Sequence, residues 1–189
     1  PSSAEALSAY DVVILSDIGA NTLLMPDKTF ARSEISANRL SLIADYVRGG
    51  GGLLMVGGYL TFQGIEGKAN YAGTAVDDVL PVALSRTDDR CERPEGVTPT
   101  VVAPDHSVMA GLADWPHFLG YNSAPARPDA TVLAEVDGDP FVAVRMVGAG
   151  RSAIFASDCG PHWGPPAFLA WPGYQRLWVN LCTFLAGRS

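Results

Sequence analysis

Cys159 and His162 stand three residues apart in the segment Ser157-Asp158-Cys159-Gly160-Pro161-His162-Trp163. At that spacing a thiol and an imidazole can meet within one turn. An adjacent imidazole lowers a thiol's pKa and accepts its proton, which makes a nucleophile. The competing reading is that Cys159 only packs, the common fate of a free cysteine. Asp17, Asp158 and His162, with His106 as a fourth, are ligand types that suit Zn²⁺ or Mn²⁺. No two of them form a local chelate, and no metal is assigned. Tyr59, in Gly57-Gly58-Tyr59-Leu60-Thr61, offers a phenol whose ordinary pKa near 10 makes it a poor nucleophile at neutral pH. Tyr59, Cys159 and His162 are the three candidates for catalysis.

Short apolar runs position these residues. Val12-Val13-Ile14-Leu15 and Leu53-Leu54-Met55-Val56 read as strands buried on both faces, the pattern of a parallel sheet. Between them Ile35, Leu40, Ile43, Ala44 and Val47 recur at helical spacing, which predicts a helix over Ser33–Arg48 stopped by Gly49–Gly52. Strand, helix and strand make a βαβ unit with parallel strands. Gly19, Asn21 and Pro26 read as loop, Ser2–Leu7 as a capped helical turn, and Thr74–Leu80 as a short helix ended by Pro81. Residues 85–99 read as a charged surface excursion. Strand-like runs follow at 98–102, 118–123, 131–136, 141–147 and 150–157. Asp137-Gly138-Asp139 marks a hairpin turn, and 174–185 makes an amphipathic helix.

In an open parallel sheet, ligands sit beyond the carboxyl ends of the strands. Here those ends carry Asp17, Asn21, Gly58, Tyr59, Asp158, His162 and Trp163, the expected ligand-binding set. The Gly58 and Tyr59 N–H groups are expected to be available to an anionic oxygen. Trp163 and Trp171 could stack on a ligand or cover a subunit contact. His106 is expected to cap the turn before Val108, with Asp105 satisfying backbone N–H groups. His117 is expected at the surface, Cys182 in the core, and Cys91 in a loop without a role.

Composition narrows the partners. The 189 residues include 13 Lys+Arg against 20 Asp+Glu, a net charge of −7, with no basic run. That argues against nucleic acid and anionic membranes. No apolar stretch is long enough to span a bilayer. Three widely spaced cysteines suit a reducing, cytoplasmic setting. Gly49–Gly52 precede a strand instead of joining strand to helix, and Gly57-Gly58 lacks a third glycine, so neither a phosphate loop nor a dinucleotide fingerprint is present. No cofactor is expected.

Four phrases carry a family resemblance: Tyr10-Asp-Val-Val-Ile-Leu-Ser-Asp-Ile-Gly-Ala-Asn21, Gly50-Gly-Gly-Leu-Leu-Met-Val-Gly-Gly-Tyr59, Asp105-His-Ser-Val-Met-Ala-Gly-Leu112 and Ser157-Asp-Cys-Gly-Pro-His-Trp-Gly164. Together they resemble the class I glutamine amidotransferase-like superfamily, in its putative glutamine amidotransferase branch near the trehalose-utilisation-like proteins. The resemblance spans essentially the whole chain. It implies a flavodoxin-like three-layer α/β sandwich with a mostly parallel central sheet, here with an antiparallel hairpin addition. In that superfamily a βαβ unit usually precedes the Tyr-Asp-Val-Val strand. The expectation is therefore that a first strand-helix unit is missing, leaving an incomplete sheet edge. The resemblance further implies a nucleophilic Cys at the sharp turn after the second strand and a His-x-Glu pair after the late strand. Tyr59 occupies the first position, and no His-x-Glu occurs anywhere.

Residues 1–189 thus read as one domain that binds a small polar ligand at the strand-end crevice and lacks glutaminase activity. The alternatives are a hydrolase using Cys159–His162 or a metal at Asp158 and His162, and a structural or assembly subunit. A homo-oligomer stays open, and the residues alone do not decide whether the chain is an enzyme.

Overall fold

The two apolar runs pair as expected. In the computed structural model, which describes residues 2–188, β1 (Val12–Ser16) lies parallel to β2 (Gly52–Val56), with Val12 opposite Gly52 and Ser16 opposite Val56. A five-residue helix, α1 (Ala4–Ser8), precedes β1, and Ser3 Oγ accepts its Ala6 N–H. The segment between the strands departs from the expected loop and single long helix. It folds as α2 (Ala20–Leu24), α3 (Asp27–Arg32) and α4 (Arg39–Arg48).

Two local causes set those boundaries. Ser33 takes a left-handed conformation (φ 55°) that closes α3, and Asn38 Oδ1 accepts the Leu40 and Ser41 N–H groups at 3.0 and 3.2 Å, opening α4. Leu40, Ile43, Ala44 and Val47 remain on the buried stripe, but Ile35 falls outside α4 and is 96% exposed. An Ile35→Ser variant is accordingly expected to move the urea unfolding free energy by less than about 0.5 kcal/mol. A larger loss would mean that Ile35 is covered in solution.

The remaining elements are α5 (Ala75–Val79), β3 (Arg90–Val97), β4 (Thr100–Val101), β5 (Phe118–Asn122), β6 (Ala130–Val136), β7 (Asp139–Val147), β8 (Gly150–Phe155), α6 (Pro166–Leu169) and α7 (Tyr174–Leu185). The main sheet runs β1-β2-β8-β7-β6-β4. β1, β2 and β8 are mutually parallel, and the β6–β7 hairpin with β4 extends the sheet antiparallel. Asp137 (φ 52°) and Gly138 (φ 88°) supply the two left-handed residues of the hairpin turn. β1 is one edge of this sheet, and Ile14 on it is 50% exposed. The fold is the flavodoxin-like α/β arrangement, with α4 and α7 both packed on β2 and β8.

Two sequence expectations need correction. The charged stretch 85–99 is half strand: β3 pairs antiparallel with β5 in a separate two-stranded sheet, with a register shift between Glu92 and Val97 around Pro94. Pro94 has no N–H to give a ladder, so the strand bulges there. Cys91 is thereby half-buried on β3, and burial raises its thiol pKa. The run 118–123 serves this small sheet instead of the main one. Phe118 still reaches the core, where its ring lies 4.9 Å from Phe141 and 4.7 Å from Phe168. Phe155 stacks on Phe168 and meets Trp178 of α7 edge-on. Cys182 on α7 is only partly buried.

Candidate functional site

Three parallel strands end side by side, and their exits build one cluster. β1 runs into Asp17, held at φ 49°, whose Oδ1 accepts the Leu60 N–H at 3.0 Å. β2 runs into Gly57-Gly58-Tyr59. Gly58 has φ +143°, and a side chain there would sit 2.7 Å from Asp158 Oδ1 and 3.4 Å from Asp17 Oδ1. Glycine is what lets the two carboxyl groups approach this turn.

β8 delivers Asp158. Its Oδ2 meets His162 Nδ1 at 2.5 Å and accepts the Trp163 backbone N–H at 3.1 Å. Burial raises the Asp158 carboxyl pKa above the ordinary value. The hydrogen bonds from Trp163 and His162 oppose that shift, and nearby Asp17 adds to it. His162 itself sits at φ 120°, a backbone conformation that only glycine adopts readily.

Aromatic rings fix the imidazole from two sides. Tyr59 meets it edge-on at 4.2 Å, and Trp163 stacks on it at 5.1 Å. Both rings carry donors that converge on Glu92 of β3. Tyr59 O–H donates to Glu92 Oε1 and Trp163 Nε1–H to Oε2, each at 3.0 Å. Arg90 lies 4.5 Å over the Tyr59 ring and is held at its far side by Asp88 at 2.8 Å. Burial, and then the Glu92 carboxylate, raise the Tyr59 phenol pKa, so the hydroxyl stays protonated and donating. A cavity of about 270 Å³ opens here, lined by Glu92, Pro94, Leu119, His162 and Trp163. A larger one, of about 480 Å³, lies at the opposite end of the sheet. One of its polar groups, the Tyr46 hydroxyl, is already bonded to Tyr10 O.

A buried polar clamp holds the β2 exit. Asn122 Oδ1 accepts the Gly58 N–H at 2.9 Å, while Asn122 Nδ2 donates to Gly58 O and to Asp89 Oδ1. Asp89 in turn accepts the Gln63 and Gly64 N–H groups at 2.8 and 2.9 Å. The Gly58 N–H is therefore committed internally and is not free for an anionic oxygen, a correction to the expectation from sequence.

The other anticipated residues divide. Asp17, Gly58, Tyr59, Asp158, His162 and Trp163 come together. Asn21 sits exposed on α2, and among the described residues no hydrogen bond joins it to the cluster. Cys159 turns its Sγ to Ser16 Oγ at 3.8 Å while His162 is tied to Asp158, so the thiol–imidazole pair is not formed. His106 lies elsewhere and caps its own turn: its Nδ1 accepts the Val108 N–H at 3.2 Å, the role expected partly of Asp105. Among the described residues no three His, Cys, Asp or Glu side chains converge as metal ligands. Trp171 is buried against Trp115, with its N–H on Ala113 O, and does not reach the crevice. His117 is exposed at the entry to β5, as expected. Glu92, Arg90, Asp89 and Asn122 were not anticipated.

Comparison with known proteins bears on the family and the fold. A family model described as putative glutamine amidotransferase matches residues 1–187. A cytoplasmic protein of Salmonella typhimurium is 49% identical with a TM-score of 0.96, covering 98% of this chain and 75% of its own. A second cytoplasmic protein, from Salmonella typhimurium LT2, is 46% identical with a TM-score of 0.95, covering 98% of this chain and 76% of its own. A ThuA-like protein of Parabacteroides merdae shares the fold at 11% identity and a TM-score of 0.60, over 95% of this chain and 71% of its own. No curated protein matches the sequence. Among the described residues no helix is long and apolar enough to cross a membrane.

Proposed function

Because the chain belongs to the putative glutamine amidotransferase family but carries Tyr59 at the exposed turn after β2, we propose that it binds a small polar ligand at the strand-end crevice without glutaminase activity. The observation that carries this reading is the tie of Tyr59 O–H and Trp163 Nε1–H to the two oxygens of Glu92. It commits the phenol to a structural hydrogen bond and leaves no nucleophile at the turn. Asp17, Tyr59, Glu92, Asp158, His162 and Trp163 are the proposed lining. Asp17, Glu92 and Asp158 bring three carboxyl groups, and the neighbouring Arg90 is already ion-paired with Asp88 and Glu92, so the crevice favours neutral, hydrogen-bonding ligands over anions. A cytoplasmic setting is proposed from the two Salmonella relatives.

The test is ammonia release from glutamine by the wild-type protein and a Tyr59→Cys variant, alongside an NMR screen of small polyols, amides and esters. Wild type is expected to release no ammonia above the buffer rate while the Trp163 indole resonance responds to at least one compound class. Sustained ammonia release by wild type, or a Trp163 signal that no compound moves, would overturn the reading. Activity gained in Tyr59→Cys would show that the turn still presents its side chain as a nucleophile elbow does.

A further inference from the structure

Among the polar groups at the crevice is an imidazole, His162, whose Nδ1 is tied to the Asp158 carboxyl group. We infer that His162, oriented by Asp158, is a general base that activates water against a small uncharged ester in the cavity beside Glu92. This rests on the crevice being the ligand site. Four observations carry it. His162 Nδ1 is tied to Asp158 Oδ2 at 2.5 Å, which with an ionised carboxylate leaves Nε2 as the basic nitrogen. The ring is clamped by Tyr59 at 4.2 Å and Trp163 at 5.1 Å, so its orientation is set before any ligand arrives. The residue holds φ 120°, and strain of this kind in a non-glycine residue collects at functional sites. Finally, His162 lines a cavity of about 270 Å³ together with Glu92, Pro94, Leu119 and Trp163.

The surroundings restrict the substrate. Asp17, Asp158 and Glu92 disfavour an anion. The Gly58 and Leu60 N–H groups, the Tyr59 O–H and both Trp163 N–H groups are all spent inside the protein. Of the two N–H groups expected for an oxyanion, only that of Tyr59 has no acceptor among the described residues, so an activated or strained ester fits the site better than an amide, which needs stronger oxyanion stabilisation. In the step itself, a water O–H proton passes to Nε2 as the water oxygen bonds to the carbonyl carbon. The ester C–O bond then breaks, and the proton on Nε2 passes to the leaving alkoxide oxygen. The products are one carboxylic acid and one alcohol, with no change of oxidation state.

The experiment uses the full chain with p-nitrophenyl acetate as the probe. Wild type is expected to hydrolyse it with a normal solvent deuterium isotope effect. His162→Gly, chosen because glycine accepts φ 120°, is expected to lose roughly a hundredfold and to regain rate with imidazole in the buffer. Asp158→Asn is expected to fall between the two, and Cys159→Ser to keep the wild-type rate. Catalysis no faster than buffer, loss on Cys159→Ser, or His162→Gly activity that imidazole does not restore would each overturn the inference. An ester that shifts the Trp163 indole resonance without being hydrolysed would sink the general base and spare the binding site. An ester that does neither would count against both.

Discussion

Asp89→Ala is expected to cost about 4 kcal/mol of stability, lowering the thermal midpoint by roughly 8–16 °C. Asp89 is 6% exposed, yet its carboxyl accepts the Gln63 and Gly64 N–H groups and the Asn122 Nδ2. Truncation leaves three buried donors without acceptors, and each costs about 1–3 kcal/mol. It also releases Asn122, the partner of both polar atoms of the Gly58 backbone. The site should therefore loosen with the fold, so the Trp163 indole resonance should broaden as the midpoint falls. Asp89→Asn is milder, since an amide oxygen can replace part of the acceptor set.

The pH dependence has a defined sign. Burial raises the Asp89 carboxyl pKa, against the opposing hydrogen bonds from Gln63, Asn122 and Gly64. The folded chain thus takes up this proton before the unfolded one does. The group's own contribution to stability is present at low pH and is lost as pH rises through the folded-state value. An Asn at the same position does not titrate. The gap between wild type and Asp89→Asn in urea midpoints is therefore expected to widen as pH falls from 7 toward about 4. A gap that narrows would mean that the ionised carboxylate is the favoured form inside the clamp.

What could be read from sequence follows the range over which each signal acts. The parallel strands were legible because β1 and β2 are built on unbroken runs of four apolar residues, Val12–Leu15 and Leu53–Val56, bracketed by turn residues. Their exits could then be named by rule, which placed Asp17, Tyr59, Asp158, His162 and Trp163 in one crevice, and with them Asn21, which stands exposed on α2 instead. Glu92 was not legible. Its role comes from the β3–β5 pairing, which sets it opposite Gly120 and within reach of Tyr59 and Trp163, 33 and 71 residues away in the chain. A charge-rich segment gives no hydrophobic period from which such a strand could be detected. Asp89 is hidden for the same reason, whereas Asn122 lies in the strand-like run 118–123 and only its pairing with β3 was out of reach. The Cys159–His162 pairing failed on local geometry: the imidazole closes back on Asp158, four residues earlier, while the thiol turns toward Ser16 on β1. In the same way, Ile35 fits the helical period of its neighbours but precedes the Asn38 cap that starts the helix. Periodicity identified α4, and a single side-chain acceptor decided where it begins.

Gly58→Ala is the second large effect, and it separates backbone strain from site geometry. At φ +143° a side chain is strained wherever it occurs, at about 1–3 kcal/mol. Gly50 supplies the reference: its φ is +121° and nothing lies within 4 Å of an added Cβ, so Gly50→Ala reports strain alone. At Gly58 the new carbon would lie 2.7 Å from Asp158 Oδ1, close enough that something must shift. Asp158 can yield only by rotating away, and rotation breaks its bonds to His162 Nδ1 and the Trp163 N–H. At Gly57 the obstacle is the Ala156 backbone, which cannot rotate aside, so Gly57→Ala is expected to disrupt the sheet itself and to say nothing about the site. Gly58→Ala is expected to remain folded, to lose about 1 kcal/mol more than Gly50→Ala, and to lose the far-downfield proton resonance that the short imidazole–carboxylate hydrogen bond should give. If that resonance persists and the two alanine variants are equally stable, Asp158 does not depend on the open space above Gly58. The orientation of His162 would then have to come from Tyr59 and Trp163 alone.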